Sequence, residues 1–196
     1  MSNSGSLRAG AFIDRDGVIN EERAYVHRVE DFVILPNAVA GMRILSQAGY
    51  VLVVVTNQAG VAHGYYDERQ VVALHEHMCS LLSSEGVSLD GILYCPHHPQ
   101  GTVAKYRRIC ECRKPAPGMI LDASRSLHLN LAKSVMIGDK RGDVEAGRAA
   151  GVGLNLLVQS GHDLSADDVS YADAVCDDLL DAARFAAIHK LSGYTT

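Results

Sequence analysis

Short apolar runs and amphipathic stretches alternate along the chain. Runs rich in β-branched residues predict buried strands over residues 9–14, 50–56, 91–95, 134–139 and 153–158, with a further strand within 172–178. Stretches with a helical spacing of apolar positions predict helices over residues 37–48, 67–86, 116–129, 143–151 and 179–191. Because strands and helices alternate, we predict a doubly wound, Rossmann-like α/β fold, in which helices cover both faces of a parallel sheet.

Local signals mark the ends of several elements. Asp67 is suited to cap the second helix, and Gln70 completes a capping box with it. Gly49 is suited to end the first helix. The stretch from Pro96 to about Pro115 has no regular pattern, and loops of this length are usually functional or disordered. No repeat or linker divides the sequence, so we expect a single domain over residues 1–196.

Polar residues stand at the ends of four predicted strands. They are Asp14 and Asp16, then Thr56, then Cys95 and His97, and finally Asp139 with Asp143. The carboxyl ends of parallel strands form the usual ligand-binding edge of such a sheet. One acid at a strand end is most often a helix cap or a solvated residue, but repetition at several strand ends favours a shared site.

The four acids would bring their carboxylates together at this edge. Clustered carboxylates repel one another unless a cation neutralises them, and Mg²⁺ is often held by one or two carboxylates plus substrate phosphate. Lys114 adds a positive charge, Thr56 adds a hydroxyl, and the turn at Asn57 and Gln58 adds backbone N–H donors. These groups predict a magnesium-dependent site for a phosphoryl group, where a carboxylate can act as the nucleophile.

The unpatterned loop contains soft metal ligands. They are Cys95, His97 or His98, Cys110 and Cys112. Three thiolates and one imidazole form a closed tetrahedral zinc site with no open position for chemistry. Zinc would also give the loop a centre to fold around. The alternative is a loop of buried thiols and surface histidines.

The other cysteines and histidines receive no catalytic role. Cys79 and Cys176 fall in apolar patterns and are predicted to be small core residues. His75 and His77 are predicted on the exposed or half-exposed side of the second helix. His63 follows the second strand and is a candidate for the wall of the pocket.

Composition restricts the partners and the location. The net charge of the 196-residue chain is −5, which disfavours nucleic acid as the main partner. Residues 1–10 lack the apolar run of a signal peptide, and no stretch approaches the ~18 apolar residues of a membrane span. We therefore expect a cytoplasmic protein, with its five cysteines free or metal-bound, and without membrane partners. Nothing suggests a coiled coil, so we expect a monomer.

Four motifs in order resemble those of the haloacid dehalogenase superfamily of phosphohydrolases. They are "DRDG", "VVVTNQAG", Lys114 and "GDKRGD". The resemblance implies an aspartyl-phosphate mechanism in which Asp14 is the nucleophile and Asp16 is first the general acid and then the general base. It also implies that Thr56 and Lys114 bind the phosphoryl oxygens. The implied Mg²⁺ ligands are Asp14, the main-chain oxygen of Asp16, and Asp139, with Asp143 supporting this shell.

A closer resemblance is to heptose bisphosphate phosphatases, in the histidinol-phosphatase-like branch. It rests on "YVHRVEDF", "TNQAGVAHG", "CPHHPQG" and "CECRKPAPGM", and extends from about Phe12 to Val158. In that group a zinc loop, here at about residues 95–113, replaces a large cap. The resemblance implies removal of the C7 phosphate of D-glycero-D-manno-heptose 1,7-bisphosphate, for lipopolysaccharide or glycoprotein heptose synthesis. The implied zinc ligands are Cys95, His97, Cys110 and Cys112, and the implied substrate contacts include Arg113, Lys114 and Lys140.

Three other functions remain compatible with parts of the sequence. Histidinol-phosphate phosphatases share the motifs and the zinc loop, but their substrate carries an amine and an imidazole. A bisphosphate prefers basic contacts, and four basic residues lie in or beside the loop: Lys105, Arg107, Arg108 and Arg113. A nucleic-acid 3′-phosphatase is disfavoured by the acidic charge and the lack of an aromatic stacking series. A non-enzymatic zinc-binding module would leave the four acids and Lys114 unexplained.

Overall fold

The computed structural model of the chain describes residues 7–191. Residues 1–6, most of the segment predicted to lack a signal peptide, lie outside this range, as do residues 192–196. Within the described range, no helix combines the length and the apolarity of a membrane span.

Six strands and seven α-helices form between residues 7 and 191. The strands are β1 Gly10–Ile13, β2 Val51–Asn57, β3 Gly91–Cys95, β4 Val135–Gly138, β5 Leu154–Val158 and β6 Ala174–Cys176. The helices are α1 Ala38–Gln47, α2 Ala59–His63, α3 Glu68–Ser84, α4 Gly118–Leu127, α5 Arg141–Ala150, α6 Ala166–Tyr171 and α7 Leu179–Leu191. All predicted strands and helices are present. Helices α2 and α6 were not predicted, because each is too short for a helical pattern to repeat.

The six strands form one sheet in the order β3-β2-β1-β4-β5-β6, and all neighbouring pairs are parallel. In the centre, Phe12 of β1 lies opposite Val53 of β2 on one side and Met136 of β4 on the other. Strands β2 and β3 therefore lie on one side of β1, and strands β4, β5 and β6 lie on the other side. This reversal opens a crevice at the carboxyl ends of β1 and β4, and it confirms the predicted doubly wound fold.

Successive residues of the central strands pack into two hydrophobic cores, one on each face of the sheet. Ala11 and Ile13 pack with α1, α3 and α7 on one face, whereas Phe12 packs with α4 and α5 on the other. Leu52 and Val54 of β2 join the first core. Burial on both faces explains why β2 is apolar along almost its whole length.

The predicted helix ends agree with the structure, but the predicted burial of two residues of helix α3 does not. The capping box is present, since the Asp67 carboxylate accepts from the Gln70 N–H and the Gln70 side chain accepts from the Asp67 N–H, both at 3.0 Å. Gly49 ends α1 with φ of +77°. The predicted exposure of His75 is wrong, because His75 is only 6% exposed. Cys176 lies in the core as predicted, but Cys79 is only half-buried.

Candidate active site

The carboxyl ends of the central strands surround a pocket of about 540 Å³. The pocket lies in the crevice between β1 and β4, where the order of the strands reverses. Its walls include every residue that the sequence predicts for catalysis or substrate binding: Asp14, Asp16, Thr56, Asn57, Gln58, Arg113, Lys114 and Lys140. His63 is not among the lining residues.

Lys114 lies between two acids in this pocket. Its Nζ is 2.9 Å from Asp14 Oδ1 and 2.5 Å from Asp143 Oδ1, and it donates to the Val55 carbonyl oxygen at 2.7 Å. Burial opposes the charged form of Lys114, but the charges of Asp14 and Asp143 outweigh it and raise the pKa of the ammonium. Burial also raises the pKa of Asp14, although Lys114 counteracts this effect. Lys114 is therefore a fixed positive charge beside Asp14.

Asp139 adds an unpartnered oxygen to the same group. Asp14, Asp139 and Asp143 place carboxylate oxygens within 4.8 Å of one another. Oδ2 of Asp139 contacts Nδ1 of His162, whereas Oδ1 is buried without a hydrogen-bond partner. Burial, together with the charges of Asp14 and Asp143, raises the pKa of Asp139. A buried carboxylate oxygen of this kind beside two other acids fits a hard divalent cation.

Two glycines leave the space that Asp139 occupies. A Cβ atom at Gly17 or at Gly161 would overlap Asp139 Oδ2. Gly17 also has φ of +83°, a left-handed conformation that favours glycine, so it makes the bend after Asp16. Any larger residue at these positions would displace Asp139.

Both carboxylate oxygens of Asp143 have partners in the protein. Oδ1 pairs with Lys114, and Oδ2 accepts from the Lys140 backbone N–H at 3.0 Å. The Lys140 N–H is at the N-terminus of α5, so Asp143 also caps its own helix. These contacts suit a residue that supports the site rather than one that binds a cation directly.

The Asp16 carboxylate is surrounded by hydrogen-bond donors. Arg15 donates through one terminal nitrogen to both carboxylate oxygens at 2.9 Å, Asn20 donates at 3.0 Å and Gln58 at 3.1 Å. Burial would raise the pKa of Asp16, but the Arg15 charge and these hydrogen bonds outweigh it and lower the pKa. The resting site therefore favours the ionised form of Asp16.

The residues at the end of β2 organise the site through their side chains. Asn57 donates to the Lys114 carbonyl oxygen at 3.0 Å and accepts from the Lys114 N–H at 3.1 Å, which anchors the backbone of Lys114. Gln58 donates to Thr56 Oγ1 at 2.8 Å. The Gln58 backbone N–H was predicted to face a phosphoryl group, but it donates to the Cys95 carbonyl oxygen at 2.8 Å. That N–H group is therefore engaged in a hydrogen bond to the last residue of β3.

Basic groups lie in the outer part of the pocket. Arg113 is half-buried and donates to the His97 carbonyl oxygen at 3.3 Å, whereas the neighbouring Lys114 points to Asp14. Lys140 is exposed, and its Nζ lies 3.3 Å from Glu22 Oε2. The side chains of the neighbouring residues Arg113 and Lys114 thus lie in different parts of the pocket.

A second group of ligands lies in the loop after β3. Cys95, His97, Cys110 and Cys112 place their ligand atoms within 4.8 Å of one another. The three sulfurs are 3.2–3.5 Å apart, and His97 Nδ1 is 3.4 Å from Cys112 Sγ. Sulfurs at these distances are not disulfide-bonded. They are close to the ~3.8 Å edge of a tetrahedron with zinc–sulfur bonds of ~2.3 Å. The structure brings His97, and not His98, into this group.

Sequence reasoning missed several residues around the predicted site, among them Asn20, which donates to Asp16. His162 contacts Asp139, and Glu22 pairs with Lys140. Arg15 and His75 form a contact behind Asp16. The signal for His162 was present, because it follows β5 at the same edge of the sheet as the predicted acids. The signal for His75 was its position on the apolar face of α3.

Comparisons with known proteins agree with these features. The HAD-hydrolase-like family model matches residues 111–182. The D-glycero-β-D-manno-heptose-1,7-bisphosphate 7-phosphatase of Salmonella typhi is 46% identical over 170 residues, which cover 87% of this chain and 90% of the relative. The protein of the same name from Haemophilus influenzae is 42% identical over 178 residues, covering 91% of this chain and 96% of the relative.

A solved structure has the same fold. The D,D-heptose 1,7-bisphosphate phosphatase of B. bronchiseptica, crystallised with magnesium and phosphate, aligns with a TM-score of 0.79 and 32% identity. The alignment covers 92% of this chain and 99% of that protein.

Proposed function

The chain belongs to the family of D-glycero-β-D-manno-heptose-1,7-bisphosphate 7-phosphatases, which are HAD-like hydrolases, and we propose that it removes the 7-phosphate of that sugar bisphosphate. The enzyme is a phosphoric monoester hydrolase. One observation supports the chemistry above all: the Asp14 carboxylate pairs with the Lys114 ammonium and has an oxygen within 4.8 Å of a carboxylate oxygen of Asp139, whose Oδ1 has no hydrogen-bond partner. The proposed nucleophile Asp14, the cation Lys114 and the candidate cation ligand Asp139 are thus close together at the pocket.

In the proposed first step, a carboxylate oxygen of Asp14 attacks the phosphorus of the C7 phosphate. The bond between phosphorus and the sugar oxygen breaks, and Asp16 gives its proton to that oxygen. Lys114 holds the phosphoryl oxygens and stabilises their charge. Both contacts to the Asp14 carboxylate fall on Oδ1, from the Arg15 N–H and from Lys114, so Oδ2 is the candidate attacking atom.

In the second step, Asp16 accepts a proton from a water molecule, which attacks the phosphorus of the aspartyl phosphate. The bond between phosphorus and Asp14 breaks, and inorganic phosphate leaves. The donors around Asp16 favour its ionised form, which this step requires. The first step requires the protonated form, and the negative charge of an arriving phosphate favours it by raising the pKa of Asp16.

We assign Mg²⁺ to the acidic group and Zn²⁺ to the cysteine loop. Asp14, the main-chain oxygen of Asp16 and Asp139 would hold Mg²⁺, which when bound neutralises charge on the phosphoryl group and its nucleophile. The unpartnered Oδ1 of Asp139 and the magnesium in the B. bronchiseptica relative support this assignment. Cys95, His97, Cys110 and Cys112 would hold Zn²⁺ in a closed, structural site.

Substrate choice would depend on the outer part of the pocket. Thr56 and Lys114 are assigned to the transferred phosphoryl group. Arg113 and Lys140 are assigned to the sugar and its second phosphate, because they are the basic groups that line the rim. The contact between Arg113 and the His97 carbonyl oxygen would then link substrate binding to the zinc loop.

We further propose that residues 1–196 form one domain that acts as a cytoplasmic monomer. One sheet contains all strands of the described range, which supports a single domain. No cysteine of that range is in a disulfide, as expected in a reducing compartment. Light scattering at micromolar concentration tests the monomer, and a mass of two chains would contradict it.

The experiment that tests this function compares two substrates. We expect kcat/KM for D-glycero-β-D-manno-heptose 1,7-bisphosphate to exceed that for histidinol phosphate by more than about 100-fold, or ~2.7 kcal/mol. The sugar product should retain its 1-phosphate. A preference for histidinol phosphate, or release of the 1-phosphate, would contradict the proposal.

A further inference from the structure

Arg15 stands between the two catalytic aspartates in the sequence and is a buried cation, and the steps above give no role to what holds its side chain. Its side chain is fully buried. A guanidinium has five N–H donors, and burying a charged group without partners is costly. One terminal nitrogen, NH2, donates to both oxygens of Asp16 at 2.9 Å and to the Val26 carbonyl oxygen at 3.0 Å. This half of the guanidinium therefore holds the Asp16 carboxylate.

The other terminal nitrogen of Arg15 faces helix α3. NH1 lies 3.1 Å from Nε2 of His75. Because arginine has only donors, Nε2 must accept, and the ring proton must be on Nδ1. Burial first, and then the Arg15 charge, lower the pKa of His75 to about 3, so the ring stays neutral and can accept.

Two opposite contacts therefore fix the plane of the guanidinium. His75 on α3 holds NH1, and Asp16 at the end of β1 receives the hydrogen bonds of the other side. We propose that His75 is a positioning residue that, by accepting from Arg15, fixes the guanidinium that orients Asp16 for proton transfer to the leaving oxygen. Without this acceptor, NH1 would turn toward another partner and Asp16 would turn with it. A displacement of about 1 Å can cost on the order of 100-fold in rate.

This inference rests on the proposed function, because it assigns a role in acid catalysis at the same site. It predicts an effect that depends on the leaving group. A sugar alkoxide leaves slowly unless Asp16 protonates it, whereas p-nitrophenolate leaves readily without a proton. For both substrates kcat/KM reports the phosphorylation of Asp14 and excludes the later hydrolysis.

Two variants of His75 form a matched pair. His75→Gln places an amide oxygen near the position of Nε2, so it can still accept from Arg15. His75→Asn places its amide near Nδ1, one bond too short to reach. His75 also lines a surface groove of about 440 Å³, which leaves room for either side chain. Met78→Ala is the control, because Met78 is buried in the core on the same helix.

We expect His75→Asn to lower kcat/KM about tenfold or more for the heptose bisphosphate and less than about threefold for p-nitrophenyl phosphate. His75→Gln should stay within about threefold of the parent for both substrates. Met78→Ala should lower the melting temperature without changing the ratio between substrates.

Several outcomes would overturn the inference. In His75→Asn, an equal loss of kcat/KM on both substrates, or no loss on either, would contradict it. So would a folded His75→Gln that loses as much activity as His75→Asn. A fourth such outcome is a His75→Asn that does not fold while His75→Gln behaves like the parent. The last outcome would assign His75 to stability alone. A parent enzyme that hydrolyses neither substrate would instead contradict the proposed function.

Discussion

The ammonium of Lys114 lies 2.9 Å from the carboxylate of Asp14, and both side chains are buried at the end of the central strands. The pair joins the end of β1, where the proposed nucleophile lies, to the loop that carries the proposed zinc ligands, since Lys114 follows Cys112 by two residues. The position of Lys114 therefore depends on that loop as well as on Asn57, which holds its backbone. In the proposed mechanism, Lys114 therefore links catalysis to the folding of this loop.

Asp14→Asn should abolish turnover and leave the fold intact. The amide keeps the size of the side chain but cannot attack phosphorus, and Lys114 keeps its pair with Asp143. We expect kcat to fall more than about 100-fold, which corresponds to ~2.7 kcal/mol in the barrier. Steady-state phosphate release measures the rate, and thermal unfolding confirms the fold. Asp122→Asn, which changes an exposed acid on α4, is the matched control and should have the parent rate. Residual activity above about a hundredth would refute covalent catalysis by Asp14.

The stabilisation by Mg²⁺ should increase with pH. Burial and two neighbouring acids raise the pKa of Asp139 to about 8, so the metal-free folded protein binds a proton there that the unfolded chain releases. That proton stabilises the fold fully below about pH 4, and its contribution is lost as the pH rises toward about 8. Because Mg²⁺ binds deprotonated carboxylates, it restores stability most at the higher pH.

Melting temperatures with and without Mg²⁺, between about pH 5 and about pH 8, test this prediction. No chelator is used, so that zinc stays bound. In Asp139→Asn the gain from Mg²⁺ should be lost at every pH. A gain in the parent that is the same at all pH values would show that the acidic group does not bind the metal in this way.

Much of the fold and the site can be predicted because strand ends follow directly from sequence. The apolar runs ending in Asp14, Thr56 and Asp139 mark the edge of the sheet, and parallel pairing alone brings these ends together. Cys95 is the last residue of β3, so the same edge of the sheet is where the predicted zinc loop begins. The pattern of apolar residues and the parallel pairing of strands are therefore enough to predict which residues meet at this edge.

The contacts behind Asp16 were not predicted, because they depend on where side chains point over long sequence separations. Nothing local shows that Arg15 turns inward toward a residue 60 positions away. His75 was predicted on the exposed or half-exposed side of α3, and it is buried. Its spacing indicated burial, since it lies four residues after Val71 and three before Met78, both buried. The periodicity of the apolar positions therefore indicates the burial of His75 better than its polar residue type does.

Cys110→Ser should lose zinc and stability together. A closed zinc site contributes folding free energy, and the serine hydroxyl is a much poorer ligand than a thiolate. We expect about one zinc per chain in the parent, much less in the variant, and a lower melting temperature. Cys79→Ser is the control, because Cys79 is a half-buried thiol on α3 outside the ligand group, and it should keep the zinc. Parent protein purified without chelator and free of zinc would contradict the assignment.

Arg113→Ala should impair the bisphosphate more than a small monophosphate. A hydrogen bond to a charged group contributes ~1.5–3 kcal/mol, so kcat/KM for the bisphosphate should fall roughly 10- to 150-fold. For p-nitrophenyl phosphate, which lacks the second phosphate, the loss should be much smaller. Arg107→Ala removes an exposed arginine of the same loop that does not line the pocket and should behave like the parent. Equal losses on both substrates, with zinc retained, would place selectivity elsewhere.

The most direct test of covalent catalysis is to trap the phosphoryl group on Asp14. In Asp16→Asn no carboxylate activates water, and loss of general acid–base catalysis typically slows a step by about 10²–10⁴-fold. A substrate that needs no protonation of its leaving group, such as p-nitrophenyl phosphate, should therefore phosphorylate this variant faster than water releases the phosphate. Mass spectrometry of the acid-quenched protein is expected to show one added phosphoryl group, on the peptide that contains Asp14. If Asp16→Asn slows equally with good and poor leaving groups and no phosphorylated peptide is found, the proposed roles of Asp14 and Asp16 are contradicted.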